Sequence, residues 1–386
     1  MILEVLQLLD LTLNGRPHAL VFFFAFFVLL PSVIARIKAS KYEPYASNFQ
    51  AKVSAIVPVY KEDPNIFERC LRSIRPQVDE IIVVCDVNRE LAELSKRLGC
   101  KVIFNPERRG KRVAIKQGVA EAKNDFILLV DSDTLLSPNT VSELLKPMKD
   151  PKIAGVASVH NVARAKSYVS WVLTTIIEKM RRNVDMSMNG NLVVVDGRCN
   201  LWRKSYLVSV VDELVNETFM GKPCQIGDDR FLTRMAHKKG LKTVVQTTAI
   251  VTTTAPETFR SFLKQQLRWY RSGRKYFLLD ILERNIPSAW YFYHLFCYYT
   301  SSIFLLMAIV MDHLFFGLEL DCLMWISLVG AVAGPSLVTA IRQVIRLHYT
   351  DIKYSVICGL VGLYIMLPLS LYAWLTMGKQ SIWGTR

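Results

Sequence analysis

The sequence predicts an α/β domain with a mostly parallel sheet, set between apolar helices of membrane-spanning length. Two observations carry this. Across residues 50–255, short β-branched runs alternate with amphipathic stretches, the pattern of βαβ units. On either side lie runs without a charge: 17 residues at 19–35, 23 at 289–311, 20 at 322–341 and 24 at 354–377. Runs of about 18 or more apolar residues can span a bilayer core.

Taken in order, the first run has no basic flank before it and no small-residue cleavage site after it. It reads as an anchor rather than a signal peptide. In the soluble part, VSAIVPV reads as a strand and IFERCLRSIR as the helix after it. EIIVVCD, RELAELSKRLG, KVIFN, KRVAIKQGVAEAK and DFILLVD continue the alternation, and later strands are expected at NLVVVDG and TVVQTTAIVTT. Residues 256–285 read as amphipathic helices at the membrane face, with Phe259, Phe262, Leu263, Leu267 and Trp269 apolar among basic neighbours.

The net charge of +15 is unevenly placed. Arg36, Lys38, Lys41 and Lys52 follow the first run, and a basic stretch precedes the second. The link after the second run carries Asp312, His313, Glu319 and Asp321; Arg342, Arg346 and Lys353 follow the third. By the positive-inside rule the central domain is cytoplasmic and the 312–321 link is outside. A basic chain can also bind nucleic acid, but no finger, RNP or basic-helix pattern is present, so no nucleic-acid partner is expected. The eight cysteines show no CxxC or metal-site spacing, and in a cytoplasmic domain no disulfide framework is expected.

Candidate chemistry gathers at the strand ends, where open α/β sheets bind ligands. LLVDSDT closes an apolar strand with Asp131 and Asp133, which alternation places on one face. Two hard oxygen donors suit Mg²⁺ or Mn²⁺ shared with phosphate; the same residues also suit an Asp-Ser-Asp turn capping a helix. Tyr60 and Glu62 follow the first strand and Asp86 ends the second, placed to stack on a base and accept from ribose, or to serve as ordinary loop residues. RRGKR opens a helix with Lys111 and Arg112, where an anionic phosphate can sit, or forms a solvated basic turn. In GDDR, adjacent Asp228 and Asp229 point in different directions. One can act as a general base while the other orients a neighbour, or both can favour a helix start. QQLRW supplies Arg268 for phosphate and Trp269 for a sugar face, or an interfacial aromatic belt.

With GKR at 110–112, VDSDT at 130–134, ETFMGKPCQIGDDRFLT at 217–233, KQQLRW at 264–269 and a final WGTR, the chain resembles the processive family-2 glycosyltransferases of membranes. The likeness is to hyaluronan synthases and type 3 capsular polysaccharide synthases, over roughly residues 50–386. SPNTVSELLKP and DGR at 196–198 look closer to the capsule synthases; hyaluronan synthases usually read SGP near there. The resemblance implies a GT-A-like nucleotide-sugar domain packed on a membrane channel. It divides the chain into an anchor (1–45), a cytoplasmic transferase domain (46–255), interface helices (256–288) and membrane helices with a C-terminal gating loop (289–386).

Residue by residue, the resemblance implies that Tyr60, Glu62, Asp86 and Lys111 hold the uridine and diphosphate of a UDP-sugar. Asp131 and Asp133 would place Mn²⁺ or Mg²⁺, Asp133 the more directly, and Asp229 would be the catalytic base. Cys224, Asp228 and Trp269 would belong to the acceptor side, Arg268 to the diphosphate, and Trp383 and Arg386 to a loop closing over the nucleotide. The expected partners are UDP-GlcA with UDP-GlcNAc or UDP-Glc, the growing polysaccharide and membrane lipid, at a plasma membrane crossed several times. Other readings are a non-processive transferase acting on a polyprenyl phosphate, and a channel with a vestigial sugar-binding domain. For WGTR to meet a cytoplasmic nucleotide, residues 354–377 must return to the side they start from. Pro368 and the flanking Lys353 and Lys379 suit such a re-entrant segment, although the run is long enough for a fourth span.

Overall fold

The computed structural model describes Phe23, Phe26–Phe27, 30–316 and 365–379. The chain divides into two compact units, 37–291 with 377–386, and 1–36 with 292–376.

After helix α1 (Leu30–Ala39), the larger unit alternates as its periodicity predicts. Strand β1 (Val53–Val59) leads to α2 (Pro64–Ile74), β2 (Glu80–Asp86) to α3 (Arg89–Arg97), and β3 (Lys101–Asn105) to α4 (Lys111–Glu121) and β4 (Phe126–Val130). Helix starts carry their own signals. Asp63 accepts from the amides of Asn65 and Ile66 at 2.8 and 3.2 Å, with Pro64 in the first turn, and Asn88 accepts from Leu91 at 3.1 Å. Each supplies an acceptor to amides that the first helical turn leaves unpaired.

Next come β5 (Leu135–Leu136), α5 (Thr140–Leu145), β6 (Ile153–Ala163), α6 (Tyr168–Ser187) and β7 (Cys199–Arg203). After them follow α7 (Lys204–Val208), α8 (Val211–Asn216), the hairpin β8 (Thr218–Phe219) and β9 (Lys222–Pro223), α9 (Asp228–Lys238), β10 (Lys242–Thr254) and α10 (Phe259–Leu282).

The eight-stranded sheet runs β3-β2-β1-β4-β7-β6-β10-β5. Strands β3, β2, β1 and β4 are parallel, β7 is antiparallel to both β4 and β6, and β10 is parallel to β6. Alternate residues of β1 serve opposite faces: Val53, Ala55, Val57 and Val59 meet α2, α3 and α5, while Ile56 meets the core of α4, α7, α8 and α9. A sheet covered on both faces accounts for near-continuous apolar strands.

The antiparallel insertion of β7 sets the site. It pairs Val130 with Cys199, and the Asp131 amide donates to the Arg198 carbonyl at 2.9 Å, so the turn before β7 lies beside the end of β4.

Two expectations need correction. The strand expected at NLVVVDG begins later, at Cys199. Residues 191–197 form no ladder beyond an isolated bridge at Asn191, and side chains satisfy part of their backbone: the Leu192 amide donates to Thr243 Oγ1 at 3.0 Å and the Val195 amide to Thr233 Oγ1 at 2.8 Å. Within residues 256–285 there is one long helix, α10, started by a capping box between Thr258 and Ser261. Its buried residues include charges, because partners await them: Asp280 pairs with Arg230 at 2.8 Å and Arg234 at 2.9 Å.

In the smaller unit, α11 (Ala289–Phe316) contains, among the described residues, the one helix long and apolar enough to cross a membrane, 289–311 at mean hydropathy 1.7. The Tyr293 hydroxyl donates to the Phe26 carbonyl at 2.6 Å, and Phe27 stacks on Phe304 at 4.9 Å. Helix α12 (Leu367–Leu375) has Pro368 in its first turn, and Trp374 Nε1 donates to the Tyr299 carbonyl at 3.0 Å. Residues 322–341 and 354–364, about half of 19–35, and Trp383 and Arg386 lie outside the described residues.

Candidate active site

The ends of β1, β2 and β4 converge with the starts of α4, β7 and α9. Lys111, in the first turn of α4, lies at the centre: its Nζ is 2.7 Å from Asp131 Oδ1 and 3.2 Å from Asp228 Oδ2. Burial works against the ammonium charge, but Asp131, Asp228 and Asp229 outweigh it and raise the lysine pKa. Asp131 is shifted upward, first by burial, against the pull of Lys111.

Sequence alternation put Asp131 and Asp133 on one strand face. The structure places both beyond β4, in a turn closed by the Thr134 amide on the Asp131 carbonyl at 3.1 Å, with Asp133 buried. Ser132, between them, donates to Glu62 Oε2 at 3.1 Å, bringing the loop after β1 onto this turn. The ring of Tyr60 carries the Arg108 guanidinium 4.5 Å from its centroid. Asp86 braces the approach to α4, accepting from Asn105 Nδ2 at 2.8 Å and from the amides of Arg109 and Gly110 at 2.9 and 2.8 Å. Arg112, expected to face phosphate beside Lys111, is instead buried and donates to the carbonyls of Leu214 and Ile226.

Helix α9 opens after Gly227, whose φ of +77° lies in the left-handed region that glycine adopts without strain. A Cβ there would also collide with Ser272 and Tyr276 of α10, so the glycine permits close docking of the two elements. Asp228 turns to Lys111. Burial would raise its pKa, yet Lys111 and Arg112 hold it low. Asp229 is pushed up to about 6 by burial, then by the charges of Asp228 and Asp196. A carboxylate tuned toward neutrality is suited to take a proton from a hydroxyl.

Gly197 separates Asp229 from Lys111. A Cβ at this position would stand 3.3 Å from Lys111 Nζ and 3.4 Å from Asp229 Cβ, so its absence leaves room where Asp229 and Lys111 face each other. The turn holding Gly197 is tied from behind: Arg198 pairs with Asp196 at 2.8 Å and Glu178 at 2.7 Å, and Arg181 pairs with Asp196 and touches His160 Nδ1 at 2.6 Å.

Sequence reasoning missed this network. Glu178, Arg181 and Asp185 stand at helical i, i+3, i+7 spacing, but that pattern usually marks a solvated face. Cys224 is buried, with Lys275 Nζ at 3.4 Å from its sulfur. Arg268 and Trp269 are half-buried on α10; Arg268 lies four and eight residues before Ser272 and Tyr276, on the face turned to Gly227.

Among the described residues no group of three or more histidine, cysteine or acidic side chains could hold a metal ion. A two-aspartate turn next to a buried lysine instead fits a Mg²⁺- or Mn²⁺-type ion whose remaining ligands are phosphate oxygens and water.

Fold and site together define a glycosyltransferase of GT-A-like architecture. The fold resembles that of a mannosyltransferase from Pyrobaculum calidifontis solved in complex with GDP-Man and Mn²⁺, with TM-score 0.64 over 94% of this chain and 98% of that one, at 14% identity. Residues 50–272 match the family described as glycosyltransferase like family 2, and the chain belongs to it. Hyaluronan synthase of Streptococcus pyogenes serotype M3 is 28% identical over 371 residues, covering 89% of this chain and 86% of that protein. An N-acetylglucosaminyltransferase of Rhizobium meliloti is 30% identical over 365 residues, covering 89% and 83%.

Proposed function

We propose that the protein is a processive, inverting transferase that polymerises UDP-sugars into a β-linked, uronic-acid-containing polysaccharide and passes it through its own membrane helices. The observation behind this reading is Asp229, raised to about 6 and facing Lys111 across the space left by Gly197. Similarity to hyaluronan synthase over most of both chains supports the substrate class. The apolar helix 289–311, with Tyr298, Leu306, Met307 and Val310 exposed, supports a membrane setting.

In this scheme the donor lies with its diphosphate toward Lys111, Asp131 and Asp133 and its anomeric carbon near Gly197. Asp229 takes the proton of an acceptor hydroxyl. The oxygen bonds to the anomeric carbon as the bond to the β-phosphate oxygen breaks, and that electron pair leaves with UDP. One displacement inverts the centre, so an α-linked donor gives a β-linkage. Lys111 stabilises the departing charge from a fixed position, which is more effective than solvent because it needs no reorganisation. A divalent cation held by Asp131 and Asp133, as the Mn²⁺ of the mannosyltransferase suggests, would neutralise diphosphate charge.

The test is to incubate the purified protein with single UDP-sugars and with pairs, following UDP release and product size. Long polymer should form only when UDP-GlcA is paired with UDP-GlcNAc or UDP-Glc. Single-sugar addition to a polyprenyl phosphate, or no turnover of any UDP-sugar, would overturn the reading.

A further inference from the structure

Glu217, which lies between α8 and the β8–β9 hairpin and opens the ETFMGKPCQIGDDRFLT stretch, was given no role of its own, yet the fold crowds donors around it. Its side chain, 10% exposed, meets Arg112 of α4 at 2.8 Å, Lys275 of α10 at 3.0 Å and the Tyr276 hydroxyl at 2.8 Å. Arg112, Lys275 and Tyr276 are all buried. Two cations therefore share one carboxylate away from water. Ion pairs buried in this way are often less stable than apolar side chains of the same volume. A group serving only to fill this space would not need them.

The knot joins the parts that transfer requires. Arg112 directly follows Lys111, and its donations to the Leu214 and Ile226 carbonyls, at 2.7 and 2.8 Å, bracket the hairpin at both ends. The Cys224 amide donates to the Glu217 carbonyl at 2.9 Å, closing the hairpin, and Lys275 reaches the Cys224 sulfur. Two residues after Cys224 the chain passes Ile226 to Gly227, whose carbonyl lies 3.1 Å from the Tyr276 hydroxyl. Asp228 and Asp229 come next. The segment that delivers the base is thus held from the donor side by Arg112 and from α10 by Lys275 and Tyr276, and all three holds meet at one carboxylate.

We propose that Glu217, clamped between Arg112 and Lys275, is a positioning residue that fixes Asp229 relative to Lys111 and to the α10 helix carrying Arg268 and Trp269. It acts through the backbone of 217–229 and touches neither donor nor acceptor. The proposal rests on the reading of Asp229 as the base, and its test separates the two.

Lys275→Met is the informative variant. It removes one hold but leaves Glu217 paired with Arg112, a balanced pair, whereas Glu217→Gln would strand two buried cations and endanger folding. Misplacing a catalytic group by about an ångström can lower the rate roughly 100-fold. Lys275→Met should therefore reduce kcat for polymer synthesis about 100-fold while KM for the UDP-sugars stays within about twofold, since the Arg112–Glu217 pair beside Lys111 is kept and Arg268 lies two helical turns away. Lys275→Arg, which keeps the charge and reach, should recover most of the rate. Hydrogen exchange on the full-length protein should be faster at 217–229 in Lys275→Met and unchanged in 53–59 and 80–86.

Wild-type exchange at 217–229 in Lys275→Met would overturn the proposal whatever the turnover, as would kcat and donor KM failing together. Absence of UDP release by the wild-type protein would instead refute glycosyl transfer, while the exchange measurement still decides whether Lys275 holds the segment.

Discussion

Replacing Asp229 by asparagine should abolish transfer and make the protein more stable, with a gain that depends on pH. Asparagine keeps the shape and an acceptor for the Arg230 amide, now bound at 2.7 Å, but cannot take a proton. The aspartate is raised from an ordinary 3.8 to about 6, first by burial and then by Asp228 and Asp196. At about 1.36 kcal/mol per pH unit, that difference amounts to an upper bound of roughly 3 kcal/mol. The folded chain binds this proton more tightly than the unfolded chain does. The charged carboxylate therefore destabilises the fold fully above its folded pKa, and the effect is relieved as pH falls from about 6 toward 3.8. Asp229→Asn should gain up to about 3 kcal/mol at pH 8, about half that gain at pH 5 and little by pH 4. Unfolding of wild type and variant in the same detergent at pH 8, 6.5 and 5, with UDP binding as a check on the fold, measures this. An equal gain at pH 8 and pH 5, or a loss at pH 8, would refute the electrostatic account of the site. Retained transfer would remove Asp229 as the base.

The same protonation should shape the rate. If kcat follows the ionised fraction of Asp229, it should fall about tenfold between pH 7 and pH 5, and a flat profile would point to another base. Gly197→Ala should cost little stability, because its Cβ meets Lys111 Nζ at 3.3 Å and Asp229 Cβ at 3.4 Å, contacts that small side-chain shifts relieve. Transfer should nevertheless fall about 100-fold as the space between base and lysine closes; undiminished kcat would show that the reacting atoms lie elsewhere. Chelation of divalent cations should weaken UDP binding, measured by calorimetry, because two aspartates beside a lysine hold diphosphate poorly without a counter-ion. Equal affinity in excess chelator would argue against a metal at Asp131 and Asp133.

Local pattern was enough for β1 to β4 and the helices between them, because a buried parallel strand and an amphipathic helix each write their period into consecutive residues. It also placed Tyr60, Asp86 and Asp131 at the strand ends where such sheets bind ligands, whereas Lys111 joined them only through the family resemblance. What local pattern could not reach was contact between distant segments. The antiparallel β7 is set by pairing with β4 and β6, so NLVVVDG, with the composition of a strand, gives way to a turn whose Gly197 opens the site. Arg112 meets the Ile226 carbonyl across 114 residues and Lys275 meets Glu217 across 58, and neither spacing has a period to announce it. The amphipathic composition of α10 suggested a helix lying on a membrane face. Buried Lys275 and Asp280 are tolerated on it only because the fold brings Glu217, Arg230 and Arg234 to meet them, and an unpaired charge could not be buried there.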